Sequence, residues 1–167
     1  MPSNIREKRH SAYYGAPIRT FLSGHSDQVL GTISAAQTFD LELEQRRAWQ
    51  QEIEILKESL QGIEGTIFFE FDVPRLGSRI DAVIVSGPAI FPLEFKCGER
   101  AFHSADYNQA WDYALDLKNF HLESHHAPIF PVLVATEAPQ RTTNGKLRIS
   151  MVCILPCVAV HAIFVKR

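Results

Sequence analysis

The sequence predicts a single α/β domain built on one mixed sheet, and three observations predict it. Its segments run helix, three strand-like stretches, helix, strand, the alternation of an α/β fold. Two of the strand-like stretches flank Ser86-Gly87-Pro88, a turn signal, and so pair as a hairpin. At 167 residues, 46% hydrophobic and 22% charged, the chain has the composition of a soluble globular protein with room for a core.

Along the chain, Ser26-Asp27 can cap a short helix running to about Ala35. A long helix is predicted over roughly Phe39 to Gln61, where Trp49, Ile53, Leu56 and Leu60 fall on one apolar stripe and Gly62 and Gly65 end it. Thr66 to Val73 is rich in β-branched and aromatic residues and stops at Pro74. Ser78 to Val85 and Ala89 to Lys96 form the hairpin. Ser104 caps a helix over about Ala105 to Phe120, with Tyr107, Ala110, Ala114 and Leu117 as its buried stripe. Pro128 to Thr136 reads as a buried strand, 137–147 as a polar loop, and 148–165 as one or two further strands. The organisation is an N-terminal segment 1–25, a core 26–139 and a basic, apolar extension 140–167.

The net charge of −2 excludes gripping nucleic acid through bulk positive charge. Bases gather at the ends, where Pro139 to Arg167 holds five and no acid; these are solvated tails or a polyanion contact. Cys97, Cys153 and Cys157 are odd in number and without CxxC spacing, which fits a reduced, cytoplasmic protein better than a disulfide scaffold. No apolar signal core opens the chain, and Met151 to Val165 is too short and too interrupted for a membrane span. Nothing in the pattern fixes an oligomeric state.

The chemistry lies in the hairpin. A four-residue loop, Ser86 to Ala89, pairs Val85 with Ile90 and hence residues whose numbers sum to 175. Asp81 then lies opposite Glu94 and Arg79 opposite Lys96, and directly opposed side chains share a face about 4.5–5.5 Å apart. Ile80, Ala82, Ile84, Phe91, Leu93 and Phe95 make the other face apolar. Two close carboxylates repel unless a cation lies between them, and hard oxygen donors suit Mg²⁺ or Mn²⁺. Such a cation with a nearby lysine is the equipment of phosphodiester hydrolysis. Taken alone, an Asp followed by E-x-K is also what the solvated face of any strand supplies.

RIDAVIVSGPAIFPLEFKCG resembles the hairpin of the PD-(D/E)XK nuclease superfamily, with Asp81 as first acid and Glu94-x-Lys96 as the E-x-K element. Ile80 stands where the usual proline precedes the acid. The resemblance implies a restriction-endonuclease-like mixed sheet flanked by helices. It also implies catalysis by Asp81, Glu94 and Lys96, with Asp81 and Glu94 as ligands to Mg²⁺ or Mn²⁺ and DNA as substrate, RNA being left open. Gln109-x-x-x-Tyr113 resembles the element that lies beside the active site in the RecB-like branch. Members of the superfamily often add an acid from the first helix; Glu42 is preferred here because it is in line with the apolar stripe, while Glu52 sits at its edge. Arg75 and Arg79 are candidate DNA contacts, with plain solvation as the other reading. From about Tyr13 to Pro139, including FDLELEQRRAW, ALDLKNFH and PVLVATEAP, the chain resembles the N-terminal domain of bacterial schlafen-group helicase proteins. That likeness implies a helicase partner in the same or a neighbouring chain. The alternative function is a catalytically silent module that keeps the fold and binds nucleic acid or a protein. His121, His125 and His126 read as polar residues at a helix end rather than as zinc ligands.

Overall fold

A computed structural model describes residues 11–37, 42–73 and 77–138, together with the backbone of 151–153. The elements are β1 (Ala12–Pro17), α1 (Ile18–Ser23), α2 (Ser26–Ala36), α3 (Leu43–Ser59), β2 (Thr66–Asp72), β3 (Arg79–Ser86), β4 (Ala89–Lys96), α4 (Ser104–Phe120), β5 (Val132–Ala135) and β6 (Met151–Cys153). Among the described residues the strands form one open six-stranded sheet in the order β1-β2-β3-β4-β5-β6. Only β4 and β5 run parallel, because α4 carries the chain back between them. The fold is therefore α/β with a mixed sheet.

The hairpin register is the one the turn dictates. Ser86 pairs with Ala89, Val85 with Ile90, Ile84 with Phe91 and Ala82 with Leu93. Gly87 sits in the turn at φ 56°, a left-handed conformation that glycine adopts without a side-chain penalty.

The sheet is covered on both faces. Ile67, Phe69, Ala82, Ile84, Phe91 and Leu93 pack against α1, α2 and α3, where Phe21, Ile33, Trp49, Ile53 and Leu56 are fully or almost fully buried. Each such side chain contributes about 1.5–3 kcal/mol by leaving water. Tyr113 and Leu117 of α4 cover the opposite face with Val83. The alternation slips at Glu70, which has a φ of 52°. Phe69 faces the three-helix side, yet Phe71 and its partner Ile80 pack with Tyr113 and Leu117. Ile80 thus leaves the face that strict alternation assigns to it.

β1 and α1 are the other departure. They lie within the expected N-terminal segment, so the folded core begins by Ala12 rather than at Ser26. Gly15 and Pro17 conceal this strand in the sequence, but Gly15 is required there: a Cβ would stand 2.8 Å from the Phe68 ring. The Ile18 N–H donates to the Gly65 carbonyl at 2.9 Å and fixes where the strand becomes helix. Of the expected strands in 148–165, β6 is described, and residues 154–165 lie outside the described region. No helix among the described residues is long and apolar enough to cross a membrane.

Candidate active site

The last pair of the β3–β4 ladder is Ala82 with Leu93, and Asp81 and Glu94 lie immediately beyond it. There the Phe95 N–H donates to Asp81 Oδ2 at 2.7 Å, so a carboxylate takes the place of a strand carbonyl. The bond fixes Asp81 beside Glu94. Glu94 is 4% exposed, and Lys96 Nζ donates to its Oε1 at 2.9 Å. The same Nζ donates to Gln109 Oε1 at 2.9 Å and lies 3.6 Å from Asp106 Oδ1. Gln109 Nε2 in turn donates to the Tyr113 hydroxyl at 3.0 Å. Because Gln109 and Tyr113 are one helical turn apart on α4, they act as one strut that aims the lysine.

Two more acids close in from the other side. Glu52, from α3, and Glu70, from β2, are each 5% exposed. Glu70 accepts from Trp49 Nε1 at 2.7 Å and from Arg79 at 3.2 Å. Glu52 meets Cys97 Sγ at 4.0 Å with one oxygen, and its Oε2 is buried with no donor, as is Glu94 Oε2. A buried carboxylate oxygen without a donor costs free energy that a cation or a proton recovers.

The acidities follow from this crowding. Burial, then Asp81, Glu70 and Glu94, push the Glu52 carboxyl well above its ordinary value. Burial and the neighbouring Glu94 raise Asp81 well above its own, against the bond from Phe95. Burial raises Glu94 also, while the Lys96 ammonium and a hydrogen bond with the Asp81 carboxyl oppose it. Burial pulls Lys96 down, but its ion pair with Glu94 outweighs that and holds it above the ordinary lysine value. The Cys97 thiol is pushed up to about 12 by burial, Glu52 and Asp81, and is no nucleophile at neutral pH.

A pH dependence follows from Glu52. Below its ordinary pKa of 4.5 both the folded and the unfolded chain hold the proton. Above it the unfolded chain releases the proton and the folded one keeps it, so this group's contribution falls as pH rises towards its folded pKa. In metal-free buffer, the Glu52→Gln variant is expected to lose less stability than the parent between pH 5 and pH 8. Urea midpoints across that range measure it; parallel curves for the two proteins would count against a strained Glu52 carboxylate.

Other expected site residues are placed as follows. Glu42 is the exposed N-cap of α3 and makes no capping bond through its side chain. It keeps the stripe's angle, but residues 42–47 are all exposed, so that end of the helix is not buried against the sheet. Glu52 is instead the acid that α3 brings to the site. Arg79 is held inward by Glu70, by Asp72 at 3.3 Å and by the Tyr13 ring at 4.4 Å. Arg75 lies outside the described residues, as do Cys157, Arg6, Lys8 and Arg9 at one end and the five bases after Pro139 at the other. His121 bonds to Ser124 Oγ at 2.6 Å and packs on Phe71, a structural role. Glu70 and Asp106 were not expected; their sequence context marks neither. Among the described residues no three His, Cys, Asp or Glu side chains form a group that could hold a metal ion, so a cation here would rest on fewer protein ligands. Comparisons of the chain with protein-family models, curated proteins and solved structures return no match.

Proposed function

We propose that this chain is a metal-dependent nuclease domain of the PD-(D/E)XK type, in its RecB-like branch, that hydrolyses phosphodiester bonds in DNA and works beside a helicase module. The observation that carries this reading is the meeting of Asp81, Glu94 and Lys96 where β3 and β4 stop pairing, with Lys96 held by both Glu94 and Gln109. A six-stranded mixed sheet covered by helices on both faces supports a restriction-endonuclease-like fold.

The donor set fits Mg²⁺ or Mn²⁺. Both take oxygen ligands, and Mg²⁺ keeps several waters while resting on one or two carboxylates, which agrees with the small number of protein ligands here. Asp81 and Glu94 would hold the ion, with the donor-less Oε2 of Glu52 behind them. A bound cation supplies neutralisation of phosphate charge and a lowered pKa for water. The chain's own residues supply position. Lys96 keeps a fixed positive charge at the mouth of the site, set by Gln109 and Asp106, where negative charge develops as a phosphate is attacked. Tyr113 keeps Gln109 from turning away.

The test is incubation of the purified chain with labelled duplex DNA, single-stranded DNA and RNA, in Mg²⁺, Mn²⁺ or chelator. DNA cleavage that the chelator stops is expected. Asp81→Ala and Glu94→Ala should each abolish it, together with Mg²⁺ binding measured by calorimetry, because one carboxylate seldom holds so strongly hydrated an ion. DNA binding without cleavage by the parent chain would favour the silent binding module. Neither binding nor cleavage would remove both readings.

A further inference from the structure

Glu70 differs from the other acids of the site in how its oxygens are used. Its Oε1 accepts the Trp49 indole N–H at 2.7 Å, and its Oε2 accepts from Arg79 at 3.2 Å. Glu52 and Glu94 are as deeply buried, yet each keeps an Oε2 without a donor. Glu70 belongs to the same cluster all the same, for its charge helps to raise the carboxyls of both Asp81 and Glu52.

Arg79 is fixed by more than Glu70. Its backbone pairs with Asp72 in the β2–β3 ladder, and its Nε lies 3.3 Å from Asp72 Oδ1. Its guanidinium lies over the Tyr13 ring at 4.4 Å. Tyr13 is held in turn, since its hydroxyl donates to Gln37, the C-cap of α2, at 3.0 Å. The clamp on Glu70 therefore draws on β1, β2, β3 and α2, with Trp49 added from α3. A guanidinium stays charged at every working pH, and its planar donors suit a carboxylate. Glu70 reaches this clamp only through its left-handed φ of 52°, a conformation that costs free energy for a residue with a side chain.

We propose that Arg79, clamped on Glu70, takes the part that a second cation plays in a two-ion hydrolase, and so restricts this site to a single divalent ion. The inference rests on the nuclease reading above and deepens it. Two-ion sites hold their ions roughly 3.5–4 Å apart and need carboxylates enough to neutralise both. Here Glu70, the acid left over for a second ion, is already neutralised by a guanidinium, and that fixed positive charge repels a further cation. The donor-less oxygens of Glu52 and Glu94 mark the side of the cluster that remains for the one ion.

Counting bound Mn²⁺ tests this without any cleavage. Mn²⁺ would be titrated into the purified chain and the free ion followed by its electron spin resonance signal, with circular dichroism to confirm the fold of each variant. The parent is expected to take one ion per chain, and so is Arg79→Lys, which keeps the charge. Arg79→Met should take two, and adding Glu70→Gln to it should restore one. Glu70→Gln alone should still take one ion, and it keeps the test open where Arg79→Met does not fold. A parent that takes two ions would overturn the inference while leaving the nuclease reading intact. So would a folded Arg79→Met that takes one, or loss of the ion in Glu70→Gln, which would make Glu70 a ligand. A parent that takes none would remove the inference and the nuclease reading together.

Discussion

Lys96→Ala is expected to lower DNA cleavage by about 10²-fold or more, the effect of removing one preorganised electrostatic group, while Mg²⁺ affinity stays level or rises. The reason lies in the bonds Lys96 makes. Its ammonium contacts Glu94 at 2.9 Å and Gln109 at 2.9 Å, so its position is fixed before any substrate arrives. A protonated lysine cannot be a ligand, and its positive charge disfavours a second cation nearby. Its loss therefore separates rate from metal binding, whereas loss of Asp81 or Glu94 removes both. Single-turnover cleavage beside calorimetric metal titration would decide the matter. Unchanged cleavage, or metal binding lost along with Lys96, would assign the lysine a merely structural place.

Trp49→Ala should cost about 3–5 kcal/mol of stability, the range for emptying a buried aromatic site. Trp49 is 1% exposed and anchors α3 against β2. Its indole also donates to Glu70 Oε1 at 2.7 Å, so truncation takes a donor from a buried carboxylate. Trp49→Phe separates the two effects, since it fills most of the space but removes the N–H. It should cost about 1–3 kcal/mol, the penalty for a buried group left short of a partner. Urea unfolding followed by circular dichroism measures both variants. A Trp49→Phe variant as stable as the parent would show that volume alone matters and that the bond to Glu70 contributes nothing.

The site's two-stranded centre was legible because it is local. A turn of known length fixes register, and that register brings Asp81 and Glu94 to the end of the paired ladder. The expected pairing of Arg79 with Lys96 is not in it, since the ladder stops at Ala82 and Leu93 and Arg79 turns to Glu70 and Asp72. Gln109 and Tyr113 were legible for a similar reason, their spacing of one helical turn; of the expected stripe Ala110 and Leu117 are buried, Tyr107 and Ala114 are half-buried, and Tyr113 is buried beside them. Glu42 against Glu52 shows the limit. Periodicity gives an angle around a helix but not how far along the helix the sheet extends, and the first turns of α3 have no sheet beneath them. Glu70 was hidden more deeply. Strict alternation sends it to the opposite face, and only a left-handed φ, rare for glutamate, turns it towards Trp49. β1 was obscured by Gly15 and Pro17; Gly15 answers to the Phe68 ring, and the strand's end to the Gly65 carbonyl that takes the Ile18 N–H, both some fifty residues away.

Sheet order and chain order coincide from β1 to β6. Each strand therefore joins an edge already built, and none has to insert between earlier partners. The turn that sets the β3–β4 register and both facing acids are all in place in the chain once Lys96 has been made, with nothing downstream needed to define the pairing. That same residue brings the compensating positive charge, bonded to Glu94 two positions away. Gln109 arrives later, on the crossover that returns the chain to β5. The hairpin that carries the facing acids is thus also one whose closure carries little loop entropy, and the charge that offsets their repulsion lies within it.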